Sequence, residues 1–318
     1  MALPPSIAQR LRLPLVGAPM FLASTPALVA AQCRAGILGS MPALNARSSQ
    51  QLDDWLFSLE QQLDDNHCAP FAINQIVSRG NTRQEQDLEI LVKHRVPVVI
   101  TSVGAPGEVV EAVHAYGGLV FHDVVSIRHA EKAAAAGVDG LVAVCSGAGG
   151  HGGHLNPFAL VNEIRRFFDG TLLLSGALTT GRDVLAAQIM GADLAYMGSR
   201  FLATTECQID DSYKQMLLDA DADGIVPSDL FSGLRGNYLA ASIARAGLDP
   251  RNLPGAATPG VGTGGHGAYK LWKDIWAAGQ GVGNIDDLPC VAELVARLEQ
   301  QYQDALGRCT EGAGRRRV

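Results

Sequence analysis

The chain has 318 residues, is 47% hydrophobic and carries a net charge of -7, which suits one large α/β barrel or two domains and excludes a small module. The acidic balance argues against nucleic acid as the main partner, because phosphate binding needs concentrated Lys and Arg, and the one basic cluster, Arg315-Arg316-Arg317, stands at the tail as a solvated end. No stretch reaches the apolar length of a membrane span, no signal peptide is expected past Pro4, Pro5, Arg10 and Arg12, and six cysteines without a C-x-x-C pair point to reduced thiols in a cytoplasmic protein.

Short apolar runs alternate with amphipathic ones along the chain. Strands are expected at 13–20, 36–40, 71–76, 96–102, 118–124, 140–144, 171–175 and 193–197. Helices are expected between them at 26–35, 48–63, 83–94, 108–116, 126–136 and 181–190, and from the Asn156-Pro157 cap to residue 168. The strands are continuously apolar, as in a parallel sheet covered on both faces, and eight strand–helix alternations match a (β/α)8 TIM barrel better than an open sheet. After Gly198 the rhythm breaks. Helices are expected at 210–222 and 231–246, then a Gly-, Pro- and Thr-rich stretch at 248–267, then helices at 270–278 and 291–306 that return to the barrel wall. The expected division is a barrel of residues 1–205 and 270–318 with a mainly helical insertion, 206–269, over its mouth. Tyr213, Phe231 and Tyr238 are expected either to roof the substrate cavity there or to pack in its core.

Chemistry is expected where the βα loops converge at the C-terminal ends of the strands. The stretch 138–158 reads VDGLVAVCSGAGGHGGHLNPF. A buried strand empties into a loop holding Gly147, Gly149, Gly150, Gly152 and Gly153 around His151 and His154. Glycine lets backbone approach a ligand, and a histidine held there exchanges a proton near neutral pH. A second strand end is Gly17-Ala18-Pro19-Met20. A third pairs Ser175-Gly176-Ala177 with Gly198-Ser199-Arg200, loops that form the usual phosphate site of such barrels. The run from Gly147 to Gly152 also satisfies G-x-G-x-x-G, but a dinucleotide fingerprint opens a helix at once, and here the helix waits until Asn156-Pro157. No metal site is expected, because His151 and His154 have no third ligand at useful spacing. His122 at a strand end is divided between ligand contact and packing. His266, in a second Gly-Gly-His-Gly run at 264–267, is assigned to a loop, and Cys145 to a buried strand end.

Taken in order, these motifs resemble the nitronate monooxygenases, formerly called 2-nitropropane dioxygenases. Relatives of that family include flavin-dependent NAD(P)H:quinone reductases and one class of enoyl-acyl-carrier-protein reductase. Gly147-Ala148-Gly149-Gly150-His151-Gly152-Gly153 is similar to A-G-G-H-x-G, and Ser175-Gly176-Ala177-Leu178-x-x-Gly181-Arg182 to S-G-G-I-x-x-G-R. Gly191-Ala192-Asp193, followed by Met197-Gly198-Ser199-Arg200-Phe201-Leu202-Ala203-Thr204, is similar to the family's third motif.

The resemblance implies FMN, its phosphate held by backbone at Gly176, Ala177, Gly198 and Ser199. It implies an isoalloxazine ring near Ala18, Pro19 and Met20 and near an amide on strand three, Asn74 or Gln75. Ala148, Gly149, Gly150, Ser175, Met197, Gln280 and His122 complete the expected cofactor set, and His151 matches the base. Ala177 stands where the family has glycine and is expected at negative φ. After strand five, where some relatives carry a lysine, this chain has His122-Asp123. The implied reaction oxidises alkyl nitronates with O2 to carbonyl compounds and nitrite, and neutral nitroalkanes once His151 has removed the carbon proton. The alternatives are an FMN-dependent NAD(P)H:quinone or enoyl reductase on the same scaffold, and a flavin-free barrel for a sugar phosphate. Partners are small molecules; the oligomeric state is left open, a homo-oligomer included.

Overall fold

The computed structural model describes residues 3–63, 67–253 and 273–314. Nine strands precede the break in rhythm: β1 (Leu15–Gly17), β2 (Gly39–Pro42), β3 (Phe71–Val77), β4 (Val98–Val103), β5 (Leu119–Val124), β6 (Gly140–Val144), β7 (Gly150–His151), β8 (Thr171–Ser175) and β9 (Leu194–Met197). All but β7 form one parallel sheet in the order β1-β9-β8-β6-β5-β4-β3-β2. The ring closes through Gly17 N–H to Leu38 O at 2.9 Å and Leu38 N–H to Leu15 O at 3.1 Å. This is the expected barrel. The largest shift is at β2, where Gly36 at φ 87 ends the preceding helix and delays the strand by a few residues.

Strand residues alternate between two cores. Val98, Ile100, Phe121, Val142, Leu173 and Leu194 point inward and fill the barrel together with Ile7 of the short helix Pro5–Ala8. Val99, Val120, Leu141 and Leu172 point outward into the layer beneath the helices. The helices begin where side chains satisfy their first amides. Ser48, Ser126 and Thr180 each accept from the amide three residues on, and Asn156 from Phe158 N–H. The Asn156-capped helix is Pro157–Ile164, shorter than expected.

The region after β9 departs from expectation. Asp211–Asp219 is helical as expected, but 231–246 is not one helix. β10 (Ile225–Ser228) and β11 (Gly236–Leu239) form an antiparallel pair, and only Ala240–Arg245 is helical. Gly233 and Gly236 are poor helix formers, and β11 gains backbone partners on both edges, which outweighs local propensity. Its second partner is β7, giving a three-stranded sheet in the order β10-β11-β7. So the described part of the insertion is mixed, not mainly helical.

Of the helix expected at 270–278, the described part is extended: Ala277 bridges Tyr238, and Leu239 N–H donates to Trp276 O at 2.8 Å. Phe231 and Tyr238 pack edge-to-face at 4.9 Å inside a small core with Ile243 and Ile275, and Tyr213 stacks on Trp276 at 4.6 Å. All three aromatics pack against neighbouring side chains. The final helix is Val291–Gly314. His266 with its 264–267 run, and Arg315 to Arg317, lie outside the described residues.

Candidate active site

Four loops meet at the C-terminal mouth at backbone distance. A Cβ on Gly149 would lie 2.8 Å from Gly279 N, and one on Gly279 would lie 2.6 Å from Gly147 O. Only glycine permits that approach. Gln280 N–H donates to Gly147 O at 2.9 Å, and Gly279 N–H donates to Ser199 Oγ at 2.8 Å. A Cβ on Gly281 would sit 2.5 Å from Ala177 O, while beside Gly198 the nearest atoms are Ala18 Cβ and Met20 Sδ, both at 3.7 Å. Ala18 and Met20 (flanking Pro19), Gly147, Ala148, Gly149, Ala177, Gly198, Ser199 and Gln280 are thus brought together. The amides of Gly176, Ala177 and Gly198 have no backbone partner among the described residues, so they are available donors for an anion.

The turn leaving β8 corrects one expectation. Ala177 has φ 58, not a negative value, and Gly176 has φ 143. A left-handed alanine costs roughly 1–2 kcal/mol. The close approach of Gly281 to its carbonyl and of Gly147 to its Cβ holds it there.

His151 is carried on β7, opposite Gly236, and Gly150 opposite Asn237. Asn237 Nδ2 donates to Ala148 O at 2.7 Å, and Gly152 N–H donates to Arg235 O at 3.2 Å. The imidazole Nε2 lies 2.8 Å from Ser232 Oγ, which in turn donates to Leu234 O at 3.0 Å and lies 3.4 Å from Tyr238 Oη. His151 is exposed as a residue, yet the protein around its ring removes enough water to lower its pKa. At neutral pH the imidazole is neutral and able to accept a proton. Sequence reasoning missed Ser232 and Asn237. They come from β11 and the loop before it, and nothing local to the histidine motif announces them. His154 lies exposed in the loop beyond β7.

Strand parity sorts the remaining residues. Asn74 points inward, its Nδ2 donating to Ser102 Oγ at 2.7 Å and Ile100 O at 3.1 Å. Gln75 turns to the helices, donating to Gln84 O at 2.8 Å, so Asn74 is the strand-three amide that faces the barrel interior. His122 also faces outward, its Nδ1 2.8 Å from Thr101 Oγ1; burial first, then the nearby His129, pushes its pKa down to about 4. It is a packing residue, and the inward position beside it belongs to Asp123. Ser175 ends β8 opposite Tyr196, and Met197 packs in the helix layer while its carbonyl accepts from Ala18 N–H at 2.9 Å. Among the described residues, no three His, Cys, Asp or Glu gather in a way that could hold a metal.

The glycine-lined cradle, free amides and histidine fall on residues matched by a family model. The model described as nitronate monooxygenase spans residues 7–301. The chain belongs to the nitronate monooxygenase family. It is a flavin-dependent oxidoreductase of that family, and the residues present fit the cofactor: the unpaired amides suit a phosphate, and the mouth is lined by backbone that a Cβ would obstruct. A nitronate monooxygenase of Paraburkholderia phytofirmans is 28% identical, over 92% of this chain and 93% of that protein. FabK from Thermotoga maritima shares the fold with a TM-score of 0.77 at 23% identity, over 95% of this chain and 96% of that one. A nitroalkane oxidase from Streptomyces ansochromogenes shares it with a TM-score of 0.77 at 21% identity, over 96% and 99%.

Proposed function

We propose that this family member is an FMN-dependent nitronate monooxygenase that oxidises alkyl nitronates, and neutral nitroalkanes, with O2 to carbonyl compounds and nitrite. The observation that carries this is His151, held at the barrel mouth by β11 and Ser232 beside the backbone cradle. The amides of Gly176, Ala177, Gly198 and Ser199 would hold the FMN phosphate. Ala18, Pro19, Met20 and Asn74 would border the ring, with Ala148, Gly149, Gly150, Ser175 and Gln280 completing the wall. Bound FMN supplies the electron acceptor and the route to O2.

The protein's own work is proton handling and orientation. Ser232 Oγ, 2.8 Å from His151 Nε2, orients the ring, whose unprotonated nitrogen is the basic atom. That atom takes the carbon proton of a neutral nitroalkane; a nitronate arrives without one and needs only to be positioned. The six cysteines are free thiols, in keeping with a cytoplasmic enzyme, and among the described residues no helix is long and apolar enough to cross a membrane.

The test is the visible spectrum of the purified protein, the identity of its heat-released flavin, and turnover of propionate 3-nitronate with O2 beside anaerobic NADH. A yellow protein releasing FMN and producing nitrite is expected. Bleaching by NADH without nitronate turnover would assign the chain to the reductases, and a colourless protein that takes up no FMN would end the flavin assignment.

A further inference from the structure

The barrel interior is largely apolar until its uppermost layer. There the inward positions of β3, β4, β5 and β9 carry Asn74, Ser102, Asp123 and Tyr196, directly above Ile100, Phe121 and Leu194. Asn74 Nδ2 donates to Ser102 Oγ at 2.7 Å, and Ser102 Oγ donates to Asp123 Oδ2 at 2.6 Å. The relay stops at that carboxyl group. Asp123 Oδ1 is sealed from solvent and has no hydrogen-bond partner among the described residues, and on another wall of the same layer Tyr196 Oη is in the same condition. Buried polar atoms are nearly always satisfied, so two at one level of a barrel mouth mark a place completed by something bound there.

Among the described residues no cation compensates the carboxylate. Burial is the main influence on Asp123 and raises its pKa to about 6, the Ser102 hydrogen bond alone opposing it. At neutral pH the floor of the site therefore holds a negative charge in a poorly solvated position. Adding electrons to a cofactor above such a charge is opposed by Coulomb repulsion that water does not screen.

We propose that Asp123, held by Ser102 and Asn74 and faced by Tyr196, is the residue that sets the reduction potential of the bound flavin, keeping it low. This rests on the flavin assignment above. A low potential favours the passage of electrons from reduced flavin to O2 and disfavours hydride uptake from NAD(P)H, so the same residue biases the scaffold toward oxygen chemistry. Asp123 acts through charge and polarity and takes no proton from the substrate.

The experiment is anaerobic dye-equilibrated reduction of the flavin-loaded protein at pH 8, for the parent and for Asp123→Asn, Asp123→Glu and Ser102→Ala. Asp123→Asn is close to isosteric and should move the reduction equilibrium about tenfold toward reduced flavin, which is about 30 mV more positive for a two-electron couple. Asp123→Glu keeps the charge and should stay near the parent. Ser102→Ala removes the hydrogen bond that disperses the charge and should shift the potential slightly the other way; it also serves if the asparagine variant folds poorly. Equal potentials in the parent and Asp123→Asn, both with flavin bound, would overturn this inference and leave the flavin assignment standing. A parent protein that binds no flavin would overturn both.

Discussion

The half of the barrel mouth formed after β6, β8 and β9 is built from backbone, whereas the half formed by the ends of β3, β4 and β5 is built from side chains. In the first, Gly147, Gly149, Gly279 and Gly281 let chain segments touch where a Cβ would collide. In the second, Asn74, Ser102 and Asp123 join strand ends through their functional groups. The difference suits the two ends of a flavin. A phosphate is recognised by converging amides whatever side chains surround them, while a ring system with donors, acceptors and a tunable potential needs particular functional groups at particular heights. Substitutions in the backbone half should therefore cost occupancy, and substitutions in the side-chain half should change properties with occupancy retained.

That division is tested most sharply at His151, the proposed base, which lies on the backbone half. His151→Asn keeps a polar group but no base at neutral pH. Activity with a neutral nitroalkane is expected to fall by about 10²–10⁴-fold, and activity with the preformed nitronate far less, with flavin still bound. Equal losses on both substrates in steady-state assays would make His151 a positioning residue.

The side-chain half is sharpened by two neighbours whose protons oppose each other. Asp123 has its folded pKa raised to about 6, so its contribution to stability is full below the unfolded value and is lost as pH rises through 6. His122 has its folded pKa lowered to about 4, so its contribution is full above the unfolded value and is lost as pH falls through 4. Each swing is on the order of 3 kcal/mol, and they largely cancel between pH 4 and 6. Urea midpoints of Asp123→Asn should therefore climb with pH over that window relative to the parent, and those of His122→Gln should fall. Parallel profiles for all three proteins would show that neither shift exists.

The backbone half is tested by Gly149→Ala, whose new methyl must displace Gly279 or Ala278. A stability loss of roughly 1–3 kcal/mol is expected from overpacking, together with reduced flavin content by absorbance ratio. Full flavin content and an unchanged melting temperature would show that the loops give way freely. The smallest expected effect is that of Ser232→Ala, which removes one hydrogen-bond partner of the His151 ring. A loss of less than about tenfold is expected with neutral nitroalkane, none with nitronate, since only the base is disturbed.

How much of this was legible in the sequence follows the same division. Strands β6 and β8 coincide with expectation because Gly140 and Gly170 and the Gly147 and Gly176 turns punctuate continuous apolar runs. The cradle was legible because glycine spacing records close approach directly. Parity was not: a strand buried on both faces shows no alternation, so nothing in Phe121-His122-Asp123 tells which residue faces the barrel, and His122 stays divided between ligand contact and packing. The same ambiguity left Asn74 and Gln75 unresolved. The left-handed Ala177 escaped because its conformation is imposed by Gly147 and Gly281, distant in sequence. The sequence predicts helix across β11, because its partners, Ile225–Ser228 and Gly150–His151, must be known before its extended form makes sense.

Chain synthesis delivers the Gly/His loop well before the strand that holds it. His151 and Ser232 are separated by 81 residues, and β8 and β9 both emerge in between. A two-residue strand such as β7 has no stability without its partner, and closing so long a loop carries an entropic cost that only the finished barrel offsets. The barrel ring, closed by contacts of β1 with β9 and with Leu38, can therefore form while His151 is still unplaced. The Gly279 to Gly281 segment follows β11 in the chain, so the wall it forms against Gly147, Gly149 and Ala177 is completed later still.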